Sequence, residues 1–268
     1  MTPKHIYRPV KHHIIGNLTG PAHGSEIICN IQYFILERSI YIKGLIWSHK
    51  IVNRPHLVYF ADPMCSWCWG FAPVIKAIRA EFADRLPIRL VLGGLRPGTT
   101  KPMDGAAKAG MRSHWDHVHT ASGQMFDHKF FDRPVFIYDT EPACRAVVLA
   151  RRDSMDLALD MLDAVHHAFY AENQDVTSTA VLAKIYASID GDEAMFRNIF
   201  SDPELIAETR QDFYISQQTG VTGFPTLIAG TGADAAFSLV TQGYQGPQKI
   251  LPALTTWWQR TEAEAVSP

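Results

Sequence analysis

The sequence predicts an α/β protein whose two sheet-forming halves are separated by a long all-helical segment. Three observations carry that expectation. An apolar strand, His56–Phe60, runs through Asp62-Pro63 into a pair of cysteines, Cys65 and Cys68, and then into a helical pattern. After Gly93-Gly94 the alternation of strand and helix stops, and helical periodicity dominates as far as residue 218. Beyond Pro225, two short strands and one last helix complete the chain.

The elements follow in order. At 268 residues and 47% hydrophobic, the chain can bury a large core in one elaborated domain or two small ones. Residues 1–55 form an N-terminal extension outside the later pattern. Ile27, Cys29, Ile31, Tyr33 and Ile35 alternate, and Ile40–Trp47 is a second apolar run, so a loose hairpin and a poorly ordered tail are both open. Glu37, Arg38 and Lys43 interrupt this region, which makes it a poor membrane span. Strand 56–61 then leads to a helix over 68–83, with Phe71, Val74, Ile75, Ile78 and Phe82 on one face. Pro87–Leu92 is the next strand, and a connection of this kind makes the two strands parallel. Helices are expected over 142–152, 155–172, 177–189, 192–200 and 203–218. The last has Asp202-Pro203 as N-cap and first residue, and Gly220 lies where a helix end favours positive φ. Thr226–Ala229 and Phe237–Val240 read as paired strands, and 247–260 as the closing helix. The sheet-bearing domain thus spans 56–98 and 219–262, with 99–218 as a helical insertion.

The chemistry lies in Cys65-Ser66-Trp67-Cys68. The pair stands where a strand becomes a helix N-terminus, and there unpaired N–H groups and the helix dipole favour a thiolate. The spacing lets the second thiol attack a mixed disulfide formed on the first. Half of a zinc site is the competing reading, but Cys29 and Cys144 stand alone, with no second CxxC or clear histidine pair. A structural staple would close only a tiny loop and constrain the unfolded chain little. Cys144 follows another helix start at Asp139-Thr140, with Pro142 in the first turn and Arg145 beside it, and reads as a buried, inert thiol. His114, His117 and His119 put at most two rings on one helical face and complete no metal site. His166 and His167 read as surface or satisfied core residues within an amphipathic helix. Trp67, Trp69 and Phe71 are candidates for an apolar rim, with Phe71 the one expected to turn inward.

Three further features resemble the thioredoxin superfamily, and within it the DsbA-like branch of FrnE-like oxidoreductases. Pro73 follows Cys68 by five residues, where many such helices carry a kinking proline. Gly220-Val-Thr-Gly-Phe-Pro225-Thr-Leu-Ile is similar to the family's cis-proline loop, and Asp139-Thr-Glu-Pro-Ala-Cys144-Arg-Ala to another family segment. The resemblance covers 56–262 and implies a thioredoxin fold with a large all-helical insertion between its βαβ and ββα halves. It implies Cys65 as nucleophile and Cys68 as resolving thiol. It also implies a cis bond before Pro225, which without the resemblance would be expected trans. Gly223, Phe224, Pro225 and Trp67 would hold substrate, and Asp139, Cys144 and Arg145 are candidates to line the groove.

The expected activity is thiol–disulfide exchange on protein or low-molecular-weight thiol substrates, glutathione being one candidate. No cofactor is required, because the electrons reside in the cysteine pair. A glutathione-dependent transferase or 2-hydroxychromene-2-carboxylate isomerase is the alternative, but relatives of that kind typically carry one serine where this chain has two cysteines. A peptide-binding module with incidental thiols comes last. A net charge of −2 gives no reason to expect nucleic acid or an anionic membrane as partner. The polar start and the few cysteines suggest a cytoplasmic protein.

Overall fold

The structure, a computed structural model, describes residues 54–232 and 237–266. The expectations for the first 53 residues, including the hairpin or tail and Cys29, lie outside the described residues. Strand β1 (His56–Ala61) is buried along its whole length. Leu57, Tyr59 and Ala61 join the main core, and Val58 and Phe60 pack on the other side with Val91 and Ile215. A strand covered on both faces has to be apolar throughout, which is why this one reads as a continuous run.

Helix α1 (Ser66–Phe82) carries the chain over to β2 (Ile88–Leu92), which pairs with β1 in parallel from Leu57–Ile88 to Ala61–Leu92. On the other side of β1 lies antiparallel β3 (Thr226–Gly230), and beyond it β4 (Ser238–Gln242), giving the order β2-β1-β3-β4. Helix α8 (Pro247–Val266) returns to pack on α1 and β4. Between the halves come α2 (Gly105–Ser122), α3 (Glu141–Asp153), α4 (Met155–Tyr170), α5 (Thr179–Ala187), α6 (Glu193–Ile199) and α7 (Pro203–Gln218). This is a thioredoxin fold with a helical insertion between its βαβ and ββα halves, as expected. Sheet and insertion share one continuous core, in which Leu57 and Leu90 belong to the same cluster as Val147 and Met161.

The helix boundaries have local causes. Ser154 caps α4 by accepting from Leu157 N, and Asp202 caps α7 by accepting from Glu204 N ahead of Pro203. Gly220 takes φ 75° just after α7. Helix α2 is the element that periodicity missed. It buries only Trp115 and Val118, so it shows no stripe, and Trp115 seats it among the rings of Phe126, Phe130, Phe131 and Tyr170, at 4.8–5.2 Å.

Pro73 lies inside α1, and a proline there cannot donate to the carbonyl of Trp69 one turn earlier. The side chain of Gln124 supplies the missing donor at 2.9 Å, while Trp69 Nε1 donates to Met125 O at 3.0 Å. The segment after α2 is thereby tied to the first turns of α1. Along the β2 edge, Arg151 of α3 makes a two-pronged ion pair with Asp212 of α7, at 2.6 and 3.0 Å. Asp212 also accepts from Leu92 N at 2.9 Å. That pair locks the insertion to the end of β2.

Candidate active site

Cys65 is the N-cap of α1, with extended backbone angles (φ −94°, ψ 115°), and its own carbonyl begins the helix by accepting from Trp69 N at 3.0 Å. The helix starts two residues earlier than the periodicity suggested, because Ser66 and Trp67 belong to its first turn. Cys65 therefore stands at the open N–H end, and Cys68 lies one turn further in. The two sulfurs are unbonded, so the pair is in its dithiol form. Cys65 is 7% exposed and Cys68 fully buried. Burial pushes the Cys68 thiol well up, and the adjoining Cys65 adds to this.

The proline loop closes over the first cysteine. The Phe224–Pro225 peptide bond is cis, and the Phe224 carbonyl accepts from Cys65 Sγ at 3.6 Å. The Phe224 ring fits because residue 93 is a glycine, since a Cβ there would fall 2.0 Å from the ring. The Gly223 carbonyl is already taken by Thr226 Oγ1 at 2.8 Å, which leaves Phe224 as the loop residue whose carbonyl meets the thiol. Pro225 itself is buried.

Asp62 holds the turn before the cysteines, and sequence reasoning gave it no role beyond breaking the strand. Its backbone carbonyl accepts from Cys65 N at 3.0 Å, and its carboxylate accepts from Met64 N at 2.9 Å and Leu95 N at 2.7 Å. Burial raises its carboxyl, even though these N–H donors pull it down. The Asp62 carbonyl also faces Nε2 of His166 on α4 at 3.1 Å. A carboxyl residue closing an apolar strand three positions before a cysteine is a signal that could have marked it. His166 is a core residue, 1% exposed, whereas its neighbour His167 is exposed and pairs with Glu172. Tyr138 donates to Met64 O from the insertion side, and its ring is fully enclosed with that of Tyr170.

The remaining candidates separate cleanly. Trp67 is half-buried between His114 and Tyr244, with ring centres 5.7 Å away in each case. Trp69 does not form the expected apolar rim. It is 5% exposed and stacks on Tyr170, and Phe71 is likewise inside. Cys144 is fully buried with its thiol 3.4 Å from Asp62 Oδ2, so it cannot line an open groove; burial, then the Asp62 charge, pushes it well up. Its burial is as expected. Arg145 turns to Glu141 at 2.8 Å and lies over the Phe200 ring, while Asp139 accepts from Gly98 N and Glu141 N. These contacts brace α3. His119 engages Gln124 O at 2.7 Å, away from the Trp67–His114 contact.

A dithiol at a helix N-terminus, facing a proline loop on a four-stranded mixed sheet, defines a thioredoxin-fold protein of the thiol–disulfide exchange class. Residues 56–245 match the DSBA-like thioredoxin domain, and the chain belongs to that family. Among solved structures, it is 37% identical to a candidate protein disulfide isomerase from Nitrosomonas europaea. That match has a TM-score of 0.71 and covers 78% of this chain and 99% of the other. It is 25% identical to the cytosolic disulfide reductase DsbM from Pseudomonas aeruginosa, TM-score 0.63, covering 76% and 98%; DsbM has also been solved with GSH. A more distant match, 20% identical over 67% of this chain, is the ClpXP adapter protein SpxH of Bacillus subtilis, of whose length the aligned part spans 60%. Among the described residues no helix is long and apolar enough to cross a membrane.

Proposed function

We propose that the protein is a cytoplasmic thiol–disulfide oxidoreductase using Cys65 and Cys68 on protein or small-thiol disulfides, glutathione disulfides among them. The observation that carries this is the asymmetry of the pair. One sulfur stands at a helix N-terminus 3.6 Å from the Phe224 carbonyl, and the other is sealed one turn below it. The Cys65 thiolate attacks one sulfur of a substrate disulfide, the S–S bond breaks, and the departing thiolate takes a proton from solvent. Cys68 then loses its proton and attacks Cys65 Sγ, the Cys65–Cys68 disulfide forms, and the second substrate thiolate leaves. Two electrons pass to the substrate, and the reverse sequence oxidises a dithiol.

Likeness to a cytosolic disulfide reductase that has been solved with GSH supports the reducing direction, the cytoplasmic location and the small-thiol substrate. The half-buried Trp67 and the Phe224 carbonyl are the groups available to hold an extended substrate beside the thiol. The test is equilibration of the full chain in graded glutathione redox buffers, followed by thiol trapping. A midpoint near about −270 mV marks a thioredoxin-like reductant, and one near about −120 mV a strong oxidant. Absence of a Cys65–Cys68 disulfide in every buffer removes the reading.

A further inference from the structure

Cys68 has no exposed surface, yet its S–H must lose a proton before the sulfur can attack Cys65. The Tyr59 hydroxyl lies beside the Cys68 thiol. Tyr59 in turn lines a narrow cleft of about 30 Å³ between α1 and α4, together with Lys76, Asp163 and His166. Three buried polar atoms of these residues make no well-aligned hydrogen bond to protein: Tyr59 Oη, Asp163 Oδ1 and His166 Nδ1. Such atoms are few in a native fold, and the gathering of three around one cleft points to a shared ligand. The volume suits a water molecule, which needs about 10–15 Å³ or more and at least two polar partners.

We propose that this cleft holds a water bridging Tyr59, His166 and Asp163, and that the bridged groups conduct the Cys68 proton to solvent. The inference rests on the dithiol reading above and adds residues to it. The hydrogen-bond inventory closes. His166 Nε2 faces the Asp62 carbonyl at 3.1 Å; a carbonyl only accepts, so Nε2 carries the hydrogen. Burial pushes His166 down to about 4, which leaves the ring neutral at physiological pH with an accepting lone pair on Nδ1. The water accepts from the Tyr59 hydroxyl and donates one hydrogen to His166 Nδ1 and the other to Asp163 Oδ1.

During resolution the Cys68 S–H bond breaks and its proton moves to Tyr59 Oη while the Tyr59 proton passes to the water. A water proton moves on to the Asp163 carboxylate. The Asp163 side chain is 31% exposed and releases the proton to solvent, and its other oxygen stays on Lys76 Nζ at 2.8 Å. The Cys68 thiolate left behind forms the new S–S bond and expels the substrate thiolate. The other charged groups at the cleft are Arg79 and Asp160, paired at 2.6 Å.

The experiment is stopped-flow reaction of the reduced full-length protein with Ellman's reagent. Attack by Cys65 releases the first thionitrobenzoate and resolution by Cys68 releases the second. Tyr59→Phe removes one buried hydroxyl and keeps the ring. It is expected to leave the first release at the native rate and to slow the second about tenfold or more at neutral pH. The deficit closes in alkaline solution, where hydroxide takes the Cys68 proton directly. Asp163→Asn, at the solvent end, is expected to slow the second release in the same pH-dependent way. A second release unchanged in both variants, or slowed by one constant factor at every pH, overturns the relay and leaves the dithiol chemistry standing. Absence of even the first release from the native protein overturns both.

Discussion

His166 gives the molecule a specific sensitivity to acid. The ring is 1% exposed, and burial lowers it from 6.5 to about 4, against the upward pull of the Asp62 carbonyl and Asp163. Between those values the unfolded chain binds a proton that the folded chain refuses. The stability it contributes is full above the unfolded value and is lost as pH falls toward the folded one. The gap of about 2.5 units, at about 1.36 kcal/mol each, amounts to about 3 kcal/mol. Asp62 works in the opposite sense. Its folded value is raised by burial, so its contribution is present in acid and is lost as pH rises through that value. Comparing native protein with His166→Gln separates the two, because Asp62 is common to both. Urea unfolding followed by tryptophan fluorescence, from about pH 7 down to about pH 4, is expected to cost the native protein about 3 kcal/mol more than the variant. Parallel losses in the two proteins would refute a neutral, buried His166.

Other substitutions probe the scaffold. Gly93→Ala drives a methyl group into the Phe224 ring and should cost about 1–3 kcal/mol. Reaction of Cys65 with a peptide disulfide should slow more than reaction with a small thiol reagent, as competition kinetics can measure. Gln124→Ala leaves the Trp69 carbonyl below Pro73 without its donor and should lower stability by about 1 kcal/mol in urea titrations. Arg151→Ala strands Asp212, whose side chain is 5% exposed, and should cost about 3–5 kcal/mol by the same measurement. Trp115→Ala empties the aromatic cluster that anchors α2 and should cost a similar ~3–5 kcal/mol, read as a lowered melting temperature.

Most of the fold was legible because its signals are local. Strand β1 is an uninterrupted apolar run since both of its faces are covered, and α7 begins and ends where Asp202-Pro203 and Gly220 dictate. The Cys65–Cys68 step was legible because strand, break and helical stripe lie within one stretch of chain. Helix α2 was not, since it buries only Trp115 and Val118 and so presents no stripe. The inner half of the site was not legible either. Asp62, Tyr59, Tyr138 and His166 meet only after the insertion folds back on the sheet, and nothing in their spacing announces an encounter across about a hundred residues of chain. For the same reason Trp69 was assigned to a rim although the folded chain turns it toward Tyr170. Periodicity reports which face of an element is apolar. It does not report which buried polar atoms find one another.

The most direct test of the account is a trap. In a Cys68→Ser protein, Cys65 can attack a disulfide but nothing resolves the adduct. Incubated with a peptide disulfide and analysed by peptide mass mapping, this variant is expected to accumulate a mixed disulfide at Cys65. Cys144, sealed against Asp62, should remain a free thiol. A Cys68→Ser protein that forms no adduct, or carries it on Cys144 instead, would contradict the assignment of Cys65 as the nucleophile.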